Sequence, residues 1–309
     1  MANEPTSQSS AKTATDGGEL FARVALVGLG LIGSSLARVM KGRGLAGHIA
    51  GVARSEKTRN RALELGFVDS ITAEAAEAAA EADLVVICTP IGAYAGIAKA
   101  IKGRLKPGAI LTDVGSVKQA VIDYLAPAVT DGVHLVPCHP VAGTEHSGPD
   151  AGFAELFEGR WCILTPPPGT DEAAVAKVAE LWRRAGSQVD IMDAAHHDLV
   201  LAITSHLPHL IAYTIVGTAT DLETHLQSEV IKFAAGGFRD FTRIAASDPV
   251  MWRDIFLNNR EAVLEMLGRL NEDLAAVQRA IRWGEGDKLE EMFARTRDIR
   301  RSIIDAGQA

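Results

Sequence analysis

Residues 24–40 read Val24-Ala25-Leu26-Val27-Gly28-Leu29-Gly30-Leu31-Ile32-Gly33-Ser34-Ser35-Leu36-Ala37-Arg38-Val39-Met40, and the fold turns on them. The valine-rich apolar run at the start predicts a strand, and Ser34 to Met40 predicts a helix. Between them lies Gly28-Leu29-Gly30-Leu31-Ile32-Gly33, three glycines at dinucleotide-binding spacing. The first glycine permits a tight turn, the second lets the backbone approach a pyrophosphate, and the third lets helix and strand pack closely. The helix N-terminus offers its free N–H groups to the phosphates. Gly28, Leu29, Gly30, Leu31, Ile32 and Gly33 are therefore expected to form a cofactor-binding turn. The bland alternative is a glycine-rich turn with no ligand.

Outward from this turn, β-branched runs alternate with amphipathic stretches between Phe21 and about Asp193. The expected strands are VALVGLG, HIAGVAR, ADLVVICTP, AILTDVGS, HLVPCHP, WCILTP and QVDIM. Such alternation predicts a parallel sheet wrapped by helices. Leu84-Val85-Val86-Ile87 has the continuous apolar character of a strand buried on both faces. After His196 the β-branched runs stop and helical periodicity takes over. The fold class is α/β: a Rossmann-like, doubly wound, mostly parallel sheet followed by an all-helical C-terminal domain. Residues 1–20 read as a flexible tail, 21–195 as the dinucleotide-binding domain and 196–309 as a helical substrate and dimerisation domain.

In that second half, Val263, Leu264, Met266, Leu267, Leu270, Leu274, Val277 and Ile281 recur at three- and four-residue steps. The stripe must face something, either the chain itself or a second copy, so a homodimer is expected. The stretch from about Leu199 to Gly217 is apolar enough to raise a membrane reading. Ser205, His206, Pro208 and His209 in its middle make insertion costly, and a buried helix beside a polar site is expected instead.

With 309 residues, 47% hydrophobic, the chain can bury one large core or two moderate ones. A formal net charge of −8 argues against a nucleic-acid binder and requires local cations wherever an anion is held. Three cysteines without a CxxC pair fit buried, reduced thiols and a cytoplasmic location. The N-terminal stretch lacks the apolar segment of a signal peptide.

Choice of nicotinamide cofactor is read at the end of the second strand, Gly51-Val52-Ala53-Arg54-Ser55. The acidic residue that would bind the ribose 2′-hydroxyl is missing at Ala53. Arg54 and Ser55, with Lys57 and Arg59 nearby, could instead hold a 2′-phosphate, favouring NADP slightly over NAD. Ser55 could equally cap the next helix, leaving the ribose to Glu56. Thr89 and Pro90, which end ADLVVICTP, are assigned to the same cofactor site.

Three polar segments follow expected strand ends or interrupt an apolar helix: Thr112 to Lys118, His139 to Glu145, and Ser205 to His209. By residue type His139 is the best general base, since imidazole titrates near neutrality and oxidation of an alcohol needs a proton acceptor. The motifs GLGLIG, TDVGSVK, HPVAGTEHSGP, SHLPH and GFRDFTRIAASDPVMWRDI, in this order from about Val24 to Asn259, resemble the prephenate/arogenate (cyclohexadienyl) dehydrogenase family of tyrosine biosynthesis. That resemblance implies oxidative decarboxylation. Hydride passes from ring C4 to NAD(P) and the C1 carboxylate is lost, giving 4-hydroxyphenylpyruvate from prephenate or tyrosine from arogenate.

Residue by residue, the resemblance implies that His139 accepts the C4 hydroxyl proton and that Ser116 hydrogen-bonds this hydroxyl and the nicotinamide region. Arg243 would bind a substrate carboxylate, as a guanidinium fork suits. Trp252 would pack beside the site, and Glu145 would pair with the arginine and gate access. His197, Ser205, His206 and His209 would surround the pocket mouth and the side-chain end of the substrate, where tyrosine could also bind, and Thr144 would contribute to substrate binding. Bland readings stand beside these: Arg243 in an interhelix salt bridge, Trp252 in the core, Asp248-Pro249 as a simple helix start. No metal is expected, because Pro208 disturbs the His206 and His209 spacing and hydride transfer needs none. Competing functions are a β-hydroxyacid dehydrogenase-like reductase, whose catalytic lysine has no counterpart after Gly236-Gly237, and a non-catalytic NADP-binding redox sensor.

Overall fold

The computed structural model describes residues 18–144, 146–221, 229 and 232–305. The first half builds β1 (Phe21–Val27), α1 (Leu31–Gly42), β2 (Ala46–Val52), α2 (Glu56–Glu64), β3 (Ser70–Thr72) and α3 (Ala75–Ala80). β4 (Leu84–Ile87), α4 (Tyr94–Ile101), β5 (Ile110–Asp113), α5 (Gln119–Leu125) and β6 (His134–Leu135) follow. The six strands form one parallel sheet in the order β3-β2-β1-β4-β5-β6. The chain reverses direction across the sheet between β1 and β4, the position where open α/β sheets leave a crevice at their carboxyl ends. All four residues of β4 are buried, as the continuous apolar run required.

Two expectations about the strands need correction. β3, only Ser70-Ile71-Thr72, is too short to have stood out as a run. The HLVPCHP run is two strands in two sheets. Val136 still donates to Leu111 O, but Pro137 has no N–H to continue the ladder, and the chain leaves the first sheet there. β7 (Cys138–Pro140) instead pairs antiparallel with β8 (Trp161–Leu164), which pairs parallel with β9 (Gln188–Ile191). Helix α6 (Glu172–Arg184), capped by Asp171 accepting from Ala174 N, sends Trp182 into the core. There Trp182 meets Phe157 edge-on, 5.1 Å between centroids.

Among the described residues there follow α7 (Ala194–Leu201), a π-helical turn at Ala202–His206, α8 (Leu207–Thr220), α9 (Gly236–Thr242), α10 (Pro249–Asn258), α11 (Arg260–Trp283) and α12 (Gly286–Asp305). By its internal contacts the chain divides into two units, with the break after Asp198 and Ala246–Asn258 returned to the first. The expected boundaries put that segment in the helical domain. It belongs to the first unit because α10 packs on Ile91–Ala93: a side chain at Gly92 would meet Asp254 Oδ2 at 2.7 Å. The Tyr124 hydroxyl also donates to Asn258 Oδ1 at 2.8 Å.

In the second unit, intrachain packing covers only part of the α11 stripe. Val263 and Met266 are buried, whereas Leu264, Leu274 and Ile281 remain 54%, 54% and 64% exposed. Ala194–Thr220 is long and apolar enough to cross a membrane by length and composition. The expected buried helix there is only partly buried. Leu201, Ala202, His206, Leu207 and Ala212 are buried, but Ile203 and Ile215 are exposed.

Candidate active site

The glycine turn has the geometry its spacing demanded. Gly28 sits at φ +102°, and a Cβ there would meet the Cys88 backbone and Thr89 Cγ2 at 2.9 Å. A Cβ at Gly33 would collide with Gly28 O, so the third glycine is what lets α1 lie against the turn. Around Gly30, the N-cap of α1, there is open space, and no side chain caps the helix. A cleft of about 630 Å³ opens here, walled by Gly28 to Gly30, Val52 to Ser55, Thr89 and Pro90. The buried Thr89 hydroxyl oxygen has no hydrogen-bond partner among the described residues. An uncapped helix start, open space at Gly30 and an unpartnered hydroxyl together fit a dinucleotide. Leu29 lines the cleft and belongs to the buried core, with Leu31 and Ile32 packed against that core. Leu31 and Ile32, expected in the cofactor turn, do not wall the cleft.

At the adenosine end, Ser55 does cap α2, its hydroxyl accepting from Thr58 N at 3.5 Å. Arg59 commits Nη1 to the carbonyls of Ala53 and Arg54, at 3.0 and 2.7 Å, and so shapes the loop. Arg54 borders the cleft with an exposed side chain. Glu56 does not border it, whereas Glu74, unconsidered from the sequence, does.

The TDVGSVK loop after β5 is held from beneath by a fully buried ion pair. Lys118 Nζ donates to Asp113 Oδ1 at 2.9 Å, Asp113 Oδ2 at 2.7 Å and Cys138 O at 2.7 Å, which uses all three ammonium protons. Asp113 also accepts from Gly115 N at 2.7 Å, the Tyr94 hydroxyl at 3.2 Å and Cys138 N at 3.2 Å. Burial, reinforced by Asp113, pushes the Tyr94 phenol well up, so it remains a donor. The cluster clamps the Ser116 loop to the start of β7. It thereby fixes the half-buried Ser116 relative to His139, one residue past the clamped Cys138. Asp113, Lys118 and Tyr94 carried no assigned role in the sequence. An Asp and a Lys five residues apart in one polar loop were the available signal.

His139 is 7% exposed. Its Nδ1 lies 2.9 Å from His197 Nε2, and His197 Nδ1 lies 2.8 Å from Asp198 Oδ1. Asp198 accepts from Lys118 N at 2.7 Å and Gln119 N at 2.9 Å, capping α5. Burial holds the His197 pKa below its ordinary value despite Asp198, so this imidazole is neutral around pH 7. This corrects the expectation that His197 surrounds a pocket mouth: it has no exposed surface and stands behind His139. Asp198 was not foreseen at all.

In the second unit, His206 is also fully buried, its Nδ1 3.1 Å from Asn259 Nδ2. That too departs from a position at the mouth. Ser205 is half-buried in the π-helical turn, and its carbonyl accepts from His209 Nδ1 at 2.9 Å. Burial, with a smaller contribution from the Arg243 charge, holds His209 below its ordinary pKa. Arg243, exposed where α9 ends, and the half-buried His209 thus share a neighbourhood. Thr144 is exposed and accepts from His146 N at 3.3 Å, a local turn. Glu145 lies outside the described residues. In the first unit, Trp252 is buried with its ring tilted on Phe256 at 5.5 Å, and Asp248 caps α10 through Val250 N and Met251 N.

Comparison with known proteins agrees over nearly the whole chain. Residues 36–191 match the family model "Prephenate dehydrogenase, nucleotide-binding domain", and residues 193–295 match "Prephenate dehydrogenase, dimerization domain". A cyclohexadienyl dehydrogenase of Zymomonas mobilis is 42% identical over 284 residues, 92% of this chain and 97% of that protein. Among solved structures, the prephenate dehydrogenase of A. aeolicus in complex with hydroxyphenyl propionate and NAD+ superposes with a TM-score of 0.85 at 33% identity. It covers 91% of this chain and 98% of its own. A Synechocystis arogenate dehydrogenase gives a TM-score of 0.78 at 27% identity, covering 91% of this chain and 99% of its own.

Proposed function

The chain belongs to the prephenate dehydrogenase family, and from that premise we propose how its own residues divide the work. The reaction is the oxidative decarboxylation of prephenate and/or arogenate by an NAD(P)-dependent enzyme, giving 4-hydroxyphenylpyruvate or tyrosine. Bound NAD(P) supplies the hydride acceptor. The turn from Gly28 to Gly33 takes the pyrophosphate, and Thr89 and Pro90 border the dinucleotide. His139 accepts the proton of the C4 hydroxyl as the carbonyl forms, and Ser116 orients that hydroxyl. Arg243 binds a substrate carboxylate and His209 stands near it. Aromatisation of the ring drives loss of carbon dioxide. The observation that carries this assignment is the clamp of Asp113 and Lys118, which holds the Ser116 loop and the start of the His139 strand together.

Turnover with prephenate and arogenate, each with NAD and NADP, tests the reading by reduced-nicotinamide absorbance and released carbon dioxide. Equal amounts of the two products are expected, and no turnover in any of the four mixtures would overturn it. Arg243→Gln should raise KM for the substrate roughly 10- to 150-fold, the usual effect of losing a charge-assisted hydrogen bond, with kcat less affected. An unchanged KM would remove Arg243 from the site.

NADP is accepted at least as well as NAD on this reading, because Arg54 borders the cleft where the 2′-phosphate would lie. Arg54→Ala should raise KM for NADP about tenfold and leave KM for NAD within about twofold. A strong wild-type preference for NAD would refute the role of Arg54. The uncovered part of the α11 stripe supports a homodimer, and the composition supports a cytoplasmic enzyme. Light scattering should give twice the chain mass at micromolar concentration.

A further inference from the structure

Asp198 caps α5 with two backbone N–H groups, and that accounts for its carboxylate but not for the two imidazoles lined up behind it. The three side chains run Asp198 Oδ1, His197 Nδ1, His197 Nε2, His139 Nδ1, with contacts of 2.8 and 2.9 Å. Proton placement along this line has one solution. Asp198, already accepting from Lys118 N and Gln119 N, accepts a third time, so His197 Nδ1 carries a hydrogen. His197 is buried and neutral, so its Nε2 is a bare lone pair. His139 Nδ1 must then donate to it, which leaves His139 Nε2 without a proton.

We propose that Asp198, acting through His197, is a positioning residue that fixes His139 in the tautomer whose Nε2 can accept the substrate proton. The inference rests on the reading of His139 as the base given above. When His139 takes that proton it becomes an imidazolium, and it still donates from Nδ1 to the neutral His197, whose ring is in turn polarised by Asp198. No proton has to move along the line. The groups that set the local field are Asp198, Asp113 and Lys118, with the Lys118 charge already matched by Asp113. The arrangement matches the logic by which a buried carboxylate fixes the tautomer of a catalytic histidine in hydrolase triads, with one imidazole interposed.

The test is nitrogen-15 NMR of the full chain with labelled histidine, at a pH where His139 is neutral, on wild type and on Asp198→Ala. In wild type the His139 shifts should report hydrogen on Nδ1, the opposite of the form an unconstrained imidazole favours. In the Asp198→Ala variant His197 Nδ1 loses its acceptor, so neither ring is held in one tautomer. His139 should then populate the form with its hydrogen on Nε2, and kcat should fall at least ~10-fold with KM for substrate and cofactor within about threefold. A wild-type His139 protonated at Nε2, or a variant whose kcat stays within about threefold of wild type, overturns the proposal. If the variant does not fold, the wild-type spectrum decides alone. The expected tautomer in a wild-type protein that turns over neither substrate would count against the functional reading and not against this one.

Discussion

His139→Asn is expected to lower kcat about 10²- to 10⁴-fold while KM for substrate and cofactor stays close to the wild-type value. The span is that of a positioned general base. Asn is near His in size and can still donate an N–H toward His197 Nε2, but it cannot take up the C4 hydroxyl proton. The remaining catalysis comes from positioning by the Ser116 loop, from carboxylate binding and from aromatisation, so activity should not vanish. Steady-state kinetics separate this from a packing defect, because a disturbed β7 would raise KM as well. A kcat within about threefold of wild type would assign the base elsewhere.

Lys118→Met is expected to destabilise the fold by about 3–5 kcal/mol. The Asp113 carboxylate would remain fully buried, keeping N–H donors from Gly115 and Cys138 and the Tyr94 hydroxyl but losing its only cation within hydrogen-bond reach among the described residues. Cys138 O would also lose its ammonium donor. Urea unfolding reads the loss as a lower midpoint at constant slope. Changing Asp113→Asn in the same chain should recover part of it, since the uncompensated charge is then gone. A double variant as unstable as the two single losses added together would mean that the ion pair is not a unit. Because the pair also ties the Ser116 loop to β7, Lys118→Met should lower activity as well as stability.

What the sequence disclosed and what it hid follow from how local each signal is. The GLGLIG turn is a contiguous pattern with one geometric solution, and Gly28, Gly30 and Gly33 adopt it. His139 is likewise marked by its place after an apolar run and before a glycine-rich loop. By contrast, the line joining His139 to Asp198 crosses 58 residues between the two imidazoles, and the contact of Asp198 with Lys118 crosses 80. Periodicity cannot see such a pairing. His197 was grouped with Ser205, His206 and His209 because they are near in sequence, yet burial sets it behind β7. The break of HLVPCHP into β6 and β7 was legible in Pro137. The move of Ala246–Asn258 to the first unit was not, because it depends on the room left by Gly92.

Of the competing functions, a hydroxyacid reductase would need a catalytic lysine on the helix that follows Gly236-Gly237, and the next lysine in this chain is Lys288. The buried Lys118, whose three protons are all engaged, does not supply it. On the proposed mechanism the imidazole at 139 performs the proton transfer that accompanies hydride loss. Its most direct test is the dependence of kcat/KM on pH for wild type and His139→Asn, from about pH 5 to about pH 9. Wild type should lose activity toward acid along a single ionisation, as the base becomes protonated, and the variant should keep its residual activity without that acid limb. An identical limb in both proteins would show that another group takes the proton.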